Sequence, residues 1–482
     1  MTTSKQSQSS TAISCYRLFL VQTENVPTES DRSTSGAEIA LRITDRSARG
    51  IATAIGRLIR SGDLVPGNRL PTVRDLARAL GTSPTTVSEA WQSLAGAGVI
   101  DPRGRNGTFV RDTSRPRGSL RYRSVTTRPS LFALDLSTGV PDPDLLPDQR
   151  RALERVSRRN ITSSYLDQPV IPQLDETLRE SWPFQPEALT VVDGAMDAID
   201  RILRTLVKVG DCVIVEDPGF PPVLDLLEQL EVTPIGVTMD AYGIEPISLR
   251  SACERKPAAL LVQPRAQNPT GVSMTPERAR ELAAVVQSAA PPGLVVIEDD
   301  HSGDIAWASD ASLGSTIADR CVRIKSFSKS HGPDLRLAAV GGAGGVVEAL
   351  VERRLLGPGW SSRLLQAVLL EMLRDEQTID RITFARQEYR HRRETMADHL
   401  NLQGVTTTGT DGINLWIAVD NEKDALLTLA MQGIGAAPGS PFYVGRGPDH
   451  IRVTVGLVSD DTDAVAAAIA ASVAPYRRSF LR

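Results

Sequence analysis

Apolar residues recur at helical spacing near the start of the chain. Those at positions 51, 55, 58 and 59 lie on one helical face, and Ser61-Gly62 ends the pattern. A second helix is predicted over Leu70–Ala77 and a third from Ser83 to about Gly96, with Gly81 in the turn between them. Two helices joined by a short turn that contains glycine predict a helix-turn-helix.

A short hairpin is predicted after the third helix. The β-like runs Val99-Ile100 and Thr108–Val110 flank Asp101–Gly107, a polar tip with two arginines. A hairpin in this position is typical of the wing of a winged helix-turn-helix, a DNA-binding unit.

From Leu131 onward, short β-like runs alternate with longer helical patterns. The runs are Cys212–Val215, Ala259–Val262, Leu294–Ile297 and Val322–Ile324. This alternation predicts βαβ units and an α/β fold with a mostly parallel sheet.

These patterns divide the chain into segments. Residues 1–36 are polar and aperiodic, so we expect a disordered extension. Residues 37–111 form the predicted DNA-binding unit, called the head below, and residues 112–130 form a linker rich in Arg, Ser, Thr and Pro. Residues 131–482 form the predicted α/β body, with a smaller C-terminal subdomain from about residue 385.

Charge is distributed unevenly along the 482 residues. The segment Leu41–Arg123 carries 15 arginines, no lysine and six acidic residues, a net charge of +9. The remainder carries 39 basic and 52 acidic residues, a net charge of -13. A basic head on an acidic body predicts nucleic-acid contact confined to the head.

Four cysteines without a CxxC pair indicate a reducing compartment and no metal site. No apolar run reaches 18 residues, and the patch Ile13–Val21 is interrupted by Tyr16-Arg17. We therefore expect a cytoplasmic protein without a membrane span.

Lysine is scarce, with six in the chain against 48 arginines, and two of the six are Lys325 and Lys329. A Schiff base with an aldehyde requires an amine that can lose its proton, which arginine cannot do. Lys329 lies in a predicted loop with Ser326 and Ser328, and Arg336 follows seven residues later. Hydroxyls and an arginine at this spacing can bind a phosphate, although Ser-x-Ser-Lys alone is common in surface loops.

Polar residues also follow two predicted strands. Asp299 and Asp300 come at the carboxyl end of one strand, where ligands of parallel sheets bind. A carboxylate there can keep a pyridine nitrogen protonated, or the acids can cap a helix. Asn268, within Gln267–Gly271, can bind the phenolic oxygen of such a ring or belong to a plain turn.

The head resembles the GntR family of winged helix-turn-helix regulators in Leu70–Ala77, Gly81–Val87 and Gly104–Val110. The resemblance implies DNA contacts from the second helix, the first turn of the third helix and the wing tip. The residues at these positions are Arg74, Thr85, Thr86, Arg103, Gly104 and Arg105. Pro84 and Ser88 stand where many members carry Arg or Lys, so base specificity stays open, and protein docking is the alternative use of the head.

The body resembles the fold-type I aminotransferases that depend on pyridoxal 5'-phosphate. The matching blocks are Asp217–Phe220, Asn268–Gly271, Glu298–Asp300, Ser326–Lys329 with Arg336, and Ile451–Val453. With the GntR-like head, the whole chain resembles the MocR/GabR family of transcription regulators, and its wing resembles the PtsJ-like branch.

The resemblance implies a role for each matched residue. Lys329 would form the Schiff base with the cofactor, Asp299 would bind the pyridine nitrogen and Asn268 the 3'-oxygen. The phosphate would be held by Ser326, Ser328, Arg336, the backbone amides of Ala195 and Met196, and Tyr165 of a neighbouring subunit in a head-to-tail dimer. Phe220 would stack on the ring, and Arg452 would bind the carboxylate of an amino acid.

The body departs from the usual family pattern at three places. His301 stands where a tyrosine is usual, either as a pH-sensitive partner of the ring or as polar filler. Phe220 stands where regulators often carry tyrosine, and the Ala195-Met196 turn lacks its usual hydroxyl. These changes leave cofactor binding in place and weaken the case for efficient turnover.

We therefore expect a dimeric regulator that binds a double-stranded DNA operator and senses pyridoxal phosphate or a small amine or amino acid. The alternative is a working aminotransferase with an accessory DNA-binding head. A third reading is a DNA-binding protein whose body binds no cofactor.

Overall fold

The computed structural model describes most of the head and the body. The described residues are 36–65, 67–96, 100–104, 107–110, 121, 132–158, 164 and 167–473. Apart from Gly36 and Arg121, the predicted N-terminal extension and linker lie outside these residues.

Four helices and three short strands form the described head. The helices are α1 (Gly36–Ala40), α2 (Ala48–Arg60), α3 (Val73–Leu80) and α4 (Pro84–Gly96), and the strands are β1 (Arg69–Leu70), β2 (Ile100–Pro102) and β3 (Thr108–Val110). The strands pair antiparallel in the order β1-β3-β2, which makes the predicted wing. Ile51, Ile55, Leu76 and Val87 are completely buried between the helices, as the helical spacing of apolar residues predicts.

Side chains and a glycine set the bounds of the helix-turn-helix. Thr72 Oγ1 accepts a hydrogen bond from the backbone N–H of Asp75 at 3.2 Å and donates to Asp75 Oδ2 at 2.6 Å, which satisfies an amide at the start of α3. Gly81 ends α3 with φ of 65°, a conformation that glycine adopts without strain. Ser83 Oγ then accepts from the backbone N–H of Thr86 at 3.1 Å at the start of α4.

The body is built on fifteen strands within the described residues. They are β4 (Leu134–Asp135), β5 (Ala188–Val192), β6 (Cys212–Glu216), β7 (Thr233–Val237), β8 (Met239–Asp240), β9 (Gly243–Ile244), β10 (Ala259–Val262), β11 (Val295–Asp300), β12 (Cys321–Ser326), β13 (Ala338–Gly342), β14 (Thr407–Thr408), β15 (Leu415–Ala418), β16 (Ile434–Gly435), β17 (Ala437–Pro438) and β18 (His450–Val453).

A seven-stranded sheet with the order β5-β13-β12-β11-β10-β6-β7 forms the centre of the body. Strand β13 pairs antiparallel with both neighbours, and the other pairs are parallel, so the prediction of a mostly parallel sheet is confirmed. Each face buries its own apolar cluster. Val213 and Val215 contribute to one cluster and Ile214 to the other, because neighbouring strand residues point to opposite faces.

Helices of the body pack on both faces of this sheet, and the last three in the chain pack with one another and with a smaller sheet in the C-terminal part. They are α5 (Arg150–Ser157), α6 (Pro172–Glu180), α7 (Ala195–Leu206), α8 (Pro221–Gln229), α9 (Pro246–Cys253), α10 (Pro276–Ala289), α11 (Gly314–Ile317), α12 (Gly344–Leu355), α13 (Arg363–Arg374), α14 (Glu376–Leu402), α15 (Glu422–Met431) and α16 (Thr462–Val473). No helix among the described residues is both long enough and apolar enough to cross a membrane.

A smaller sheet with the order β14-β15-β18-β17 lies in the C-terminal part of the body. The predicted subdomain start near residue 385 falls inside α14, a continuous helix of 27 residues. Strand β4 pairs with β16, so the first described residues of the body pack with the C-terminal part.

The head contacts the body through the turn that follows α7. Arg49 Nη2 lies 2.9 Å from Asp211 Oδ1, and Val209 packs against the apolar core of the head.

Candidate functional site

The carboxyl ends of three neighbouring strands surround one cavity of the body, of about 240 Å³. Asp299 lies in β11, Ser326 ends β12, and Asn268 follows β10. The cavity is lined by every described residue that the sequence predicted for the cofactor or its carboxylate partner: Ala195, Met196, Phe220, Asn268, Asp299, His301, Ser326, Ser328, Lys329, Arg336 and Arg452. Tyr165, which was predicted to reach a neighbouring subunit, lies outside the described residues.

Asp299 carries an oxygen that requires a partner. Its Oδ2 accepts from Gln263 Nε2 at 2.8 Å, whereas the buried Oδ1 has no hydrogen-bond partner among the described residues. Burial raises the pKa of Asp299 to about 6, so the carboxylate remains mostly charged at neutral pH. A buried charge of this kind is stabilised by a cationic N–H donor, and the protonated nitrogen of a pyridine ring is such a donor.

A second buried acid, Glu216, lies close enough to Asp299 for the two charges to interact. Glu216 Oε1 accepts from the backbone N–H of Gln263, and Glu216 Oε2 accepts from Gln267 Nε2, both at 3.2 Å. Burial raises the pKa of Glu216 to about 8, so this acid is mostly neutral at pH 7 and Asp299 carries the charge. Gln263 also accepts from the backbone N–H of Asn268 at 2.9 Å, and it therefore positions both cavity residues.

Lys329 has the properties of a nucleophilic amine. Burial lowers its pKa to about 8, Asp299 opposes the shift, and the positive charge of Arg452 adds to it. About a tenth of the amine is therefore unprotonated at pH 7. Lys325 is not a candidate for this role. Its Nζ forms an ion pair with Asp304 Oδ1 at 2.9 Å, and the residue does not line this cavity.

One end of the cavity is suited to an anion. The backbone of Gly194 has φ of 104° and precedes the first turn of α7, where helix N–H groups are free of helical partners. A side chain at Gly194 would approach within 3.1 Å of Arg336 Nη2, so glycine lets the arginine lie against this turn. Ser326 and Ser328 add hydroxyl groups to the same cavity. A phosphate fits this set of donors.

Arg452, on β18, lines the same cavity and is 2% exposed. Its Nη1 donates to Asn268 Oδ1 at 3.3 Å, and its Nη2 donates to the carbonyl oxygen of Ser137. The guanidinium carbon lies 5.3 Å from the centre of the Phe442 ring. An arginine in this position can bind a carboxylate that enters the cavity.

The three consecutive acids of β11 make different contacts. Arg323 Nη1 contacts Glu298 Oε2 at 2.9 Å, and Arg265 Nη2 contacts Asp300 Oδ2 at 2.6 Å. Arg323 and Arg265 hold the pKa of Asp300 below its ordinary value despite burial. Only Asp299 of the three lines the cavity. The cavity position of Asp299 favours the ring-binding prediction over the helix-capping alternative.

Six residues that line the cavity were not predicted as site residues, and Gln263, Thr138 and Gly139 are among them. Gln263 follows β10 directly, and its place at a strand end was a usable signal. Thr138 and Gly139 enter the cavity from the loop after β4, and Thr138 Oγ1 is buried without a hydrogen-bond partner among the described residues. These two lie more than 120 residues before Asn268, and no motif marks them.

The predicted DNA-contacting residues lie on the surface of the head. Arg74 and Thr85 are exposed near the starts of α3 and α4, and Thr86 is half-buried beside Thr85. At the wing tip, Arg103 Nε contacts Asp101 Oδ2 at 2.9 Å, and the exposed Gly104 follows. Arg105 lies outside the described residues.

The fold and the cavity place the body in the class of fold-type I aminotransferases, and the head makes the protein a composite of that class with a winged helix-turn-helix. Comparison with known proteins agrees with both halves. The family of bacterial regulatory proteins described as gntR matches residues 47–110, and the family described as aminotransferase class I and II matches residues 133–469.

Two transcription regulators align with this chain over most of their length. The vitamin B6 salvage pathway transcriptional repressor PtsJ of Salmonella typhimurium is 33% identical over 423 residues, which cover 87% of this chain and 96% of PtsJ. The pyridoxine biosynthesis transcriptional regulator PdxR of Corynebacterium glutamicum is 28% identical and covers 85% of this chain and 91% of PdxR. The chain belongs to the MocR-type transcription regulators, which join a GntR-type DNA-binding domain to a class I and II aminotransferase domain.

A solved structure shows the same fold for the body. The α-aminoadipate aminotransferase LysN of Thermus thermophilus, complexed with N-(5'-phosphopyridoxyl)-L-leucine, aligns with a TM-score of 0.64 at 21% identity. The alignment covers 73% of this chain and 97% of LysN. The family and this fold imply the use of pyridoxal phosphate.

Proposed function

We propose that this protein is a transcription regulator that binds pyridoxal 5'-phosphate in the body cavity and an operator through the head. It responds to the cofactor itself or to a small amine or amino acid. The observation that carries the proposal is the unpartnered Oδ1 of buried Asp299, in one cavity with Lys329, whose pKa is lowered. Both side chains are costly to bury without a ligand.

Pyridoxal phosphate supplies an aldehyde that condenses with amines and a pyridinium ring that accepts electrons. Lys329 would supply the amine that holds the aldehyde group, and Asp299 would keep the ring nitrogen protonated. Asn268 binds the 3'-oxygen, and Phe220 packs on the ring. Gln263 positions Asp299 through its 2.8 Å hydrogen bond.

The phosphate is assigned to the anion-binding end of the cavity. Arg336 supplies the charge, Ser326 and Ser328 supply hydroxyl groups, and the backbone at Ala195 and Met196 supplies amides at the start of α7. In a head-to-tail homodimer, Tyr165 of the neighbouring subunit completes this set.

Lys329 would supply the amine that holds the cofactor, and Arg452 in the same cavity would favour ligands that carry a carboxylate. Lys329 lies in the loop after β12, and the proposal requires that its contact with the cofactor would alter the DNA affinity of the head. The names of PtsJ and PdxR, which refer to vitamin B6 salvage and pyridoxine biosynthesis, support a regulated pathway in vitamin B6 metabolism.

The first experiment is an absorbance spectrum of the purified protein with and without added pyridoxal phosphate. A band from cofactor joined to an amine is expected in the parent and in Lys325→Arg, which keeps the ion pair with Asp304. The band should be lost in Lys329→Ala. Equal spectra for Lys329→Ala and the parent would contradict the assignment of the cofactor to Lys329.

The second experiment measures DNA binding. Affinity for DNA upstream of the protein's own gene is compared for the cofactor-free protein, the loaded protein and the loaded protein with candidate amines. If the protein is a regulator, then either loading with the cofactor or adding an amine must change its affinity for this DNA. An affinity that stays constant across all of them would exclude sensing by the body.

The cavity also supports a second candidate function. With the cofactor bound, Lys329, Asp299 and Arg452 would supply an amine, a partner for the ring nitrogen and a carboxylate-binding group, so the protein is also tested as an aminotransferase. Full conversion of an amino acid and a keto acid at about 1 s⁻¹ or faster would favour the enzyme, and turnover far below that rate would favour the regulator.

A further inference from the structure

His301 lies in direct contact with the nucleophilic lysine. Its Nδ1 is 2.6 Å from Lys329 Nζ, and its Nε2 is 3.0 Å from the carbonyl oxygen of Ala266. The imidazole ring is therefore held at both nitrogens, in the cavity wall where relatives of this class usually carry a tyrosine.

The contact with Ala266 determines where the imidazole carries its proton. A carbonyl oxygen can only accept a hydrogen bond, so Nε2 must be the nitrogen that bears hydrogen. Ala266 has φ of 47°, which is unusual for alanine, and is 4% exposed. The backbone is therefore held in a strained conformation that places its carbonyl against the ring.

The charges around His301 keep the ring neutral. Burial lowers its pKa well below the ordinary value, and the positive charges of Lys329 and Arg265 lower it further, while Asp300 opposes them. A neutral ring with hydrogen on Nε2 has only a lone pair on Nδ1. Lys329 must therefore donate to Nδ1.

We propose that His301 is a positioning residue for Lys329: it holds the ammonium form of the lysine in the cofactor-free cavity by accepting a hydrogen bond at Nδ1. The proposal rests on the proposed function only for its consequence, since the hydrogen bond is a property of this chain alone.

The consequence is that Lys329 reacts more slowly with the aldehyde of the cofactor. An aldehyde reacts with the free amine, and an acceptor that stabilises the ammonium form reduces the fraction of free amine. Asp299 and Asp300 act in the same direction on Lys329, while burial and Arg452 act against them. In this proposal the hydrogen bond to His301 acts in the same direction as the carboxylates. Because the pKa of Lys329 is about 8, reaction with the aldehyde should slow as the pH falls below that value.

The test is the rate at which acetic anhydride labels Lys329 in the cofactor-free protein, read by mass spectrometry as a function of pH. The exposed Lys423 serves as the internal standard. His301→Phe removes the acceptor and keeps an aromatic ring, whereas His301→Asn places a carbonyl oxygen close to the position of Nδ1.

A hydrogen bond to a charged group shifts the equilibrium by about one pKa unit or more. At pH values below the pKa of Lys329, labelling should therefore be about tenfold faster in His301→Phe than in the parent. His301→Asn should restore the parent's pH profile. A role limited to filling space would give the opposite pattern, with Phe close to the parent and Asn different. Equal profiles for Phe and the parent would overturn the proposal.

A second measurement reads the position of the imidazole hydrogen in the parent protein itself, and a variant serves only to assign the signal. The nitrogen-15 chemical shifts of labelled histidines distinguish a nitrogen with hydrogen from one with a lone pair, and the chain has five histidines. His301→Asn identifies the signal of His301. A lone pair on Nδ1 is expected, and hydrogen on Nδ1 at neutral pH would refute the proposal.

The two proposals can fail separately. A cofactor-free protein that shows the expected labelling pattern but never forms the absorbance band would refute cofactor binding and leave the assignment of His301 in place. A protein that forms the band with unchanged labelling in His301→Phe would do the reverse.

Discussion

Replacing Asp299 with asparagine should change stability and cofactor affinity in opposite directions. Burial raises the pKa of Asp299 from 3.8 to about 6. For an acid, a raised folded-state pKa means that the charged form is less favourable in the folded state than in the unfolded state. Above pH 6 the difference amounts to about 3 kcal/mol of lost stability, and it declines to zero as the pH falls from 6 to below 3.8.

Asp299→Asn keeps the shape and removes the charge. The cofactor-free variant should therefore unfold at a higher urea concentration than the parent at about pH 8, with a gain of about 1–3 kcal/mol. The gain should disappear near pH 4. Asp240→Asn is a control in which the opposite change in stability is expected. The hydrogen bond with Arg278 lowers the pKa of Asp240, so removal of this carboxylate should destabilise the body at pH 8.

The same variant should bind pyridoxal phosphate more weakly. The charged hydrogen bond between Oδ1 and the ring nitrogen is lost, and bonds of this kind contribute about 1.5–3 kcal/mol. The dissociation constant, measured from the absorbance of the bound cofactor, should rise by about ten- to a hundredfold. An Asp299→Asn protein that is less stable than the parent at pH 8, or that binds the cofactor as tightly, would refute this account of the site.

Three further outcomes are expected. Arg323→Leu should destabilise the body by about 3–5 kcal/mol in urea unfolding, because Glu298 and Asp300 would keep their buried charges without this partner. Thr72→Ala should lower the free energy of unfolding of the head by about 1 kcal/mol, because the side-chain cap of α3 is lost. The measurement is the thermal unfolding transition of the head. Arg74→Ala should weaken DNA binding and reduce by about one the slope of log affinity against log salt, if Arg74 contacts a phosphate.

The predicted cavity residues could be found from the sequence because most lie at the ends of strands. Asn268, Asp299 and Ser326 each come at or just after the carboxyl end of a strand in the central sheet, and parallel neighbours bring those ends to one edge. A short apolar run followed by a polar residue is enough to predict such a position. Thr138 lacks this signal, because the loop after β4 reaches the cavity only through the packing of the C-terminal part of the body.

The sheet order could not be predicted, and β13 shows why. Its sequence, Ala338–Gly342, consists of two alanines, a valine and two glycines, residues that do not indicate a strand. All five are buried, and Trp182 would lie 3.0 Å from a side chain at Gly341. Small residues are needed because neighbouring groups approach the backbone closely, and packing rather than strand propensity selects them.

Helix α7 connects the cavity with the head. Its first turn belongs to the anion-binding end, and the turn after its last residue carries Val209 and Asp211, which contact the head. Twelve helical residues span about 18 Å, so a rigid element joins the proposed phosphate site to the surface on which the head lies. Among the described residues, this turn contacts the head through an ion pair whose arginine is largely exposed and through a partly buried valine, contacts that contribute about 1–2 kcal/mol. Coupling free energies between ligand sites are of the same size, about 1–3 kcal/mol. If the proposed ligand shifts α7, we therefore expect its coupling free energy to be large enough to change the contacts of this turn with the head, which a large apolar interface would resist.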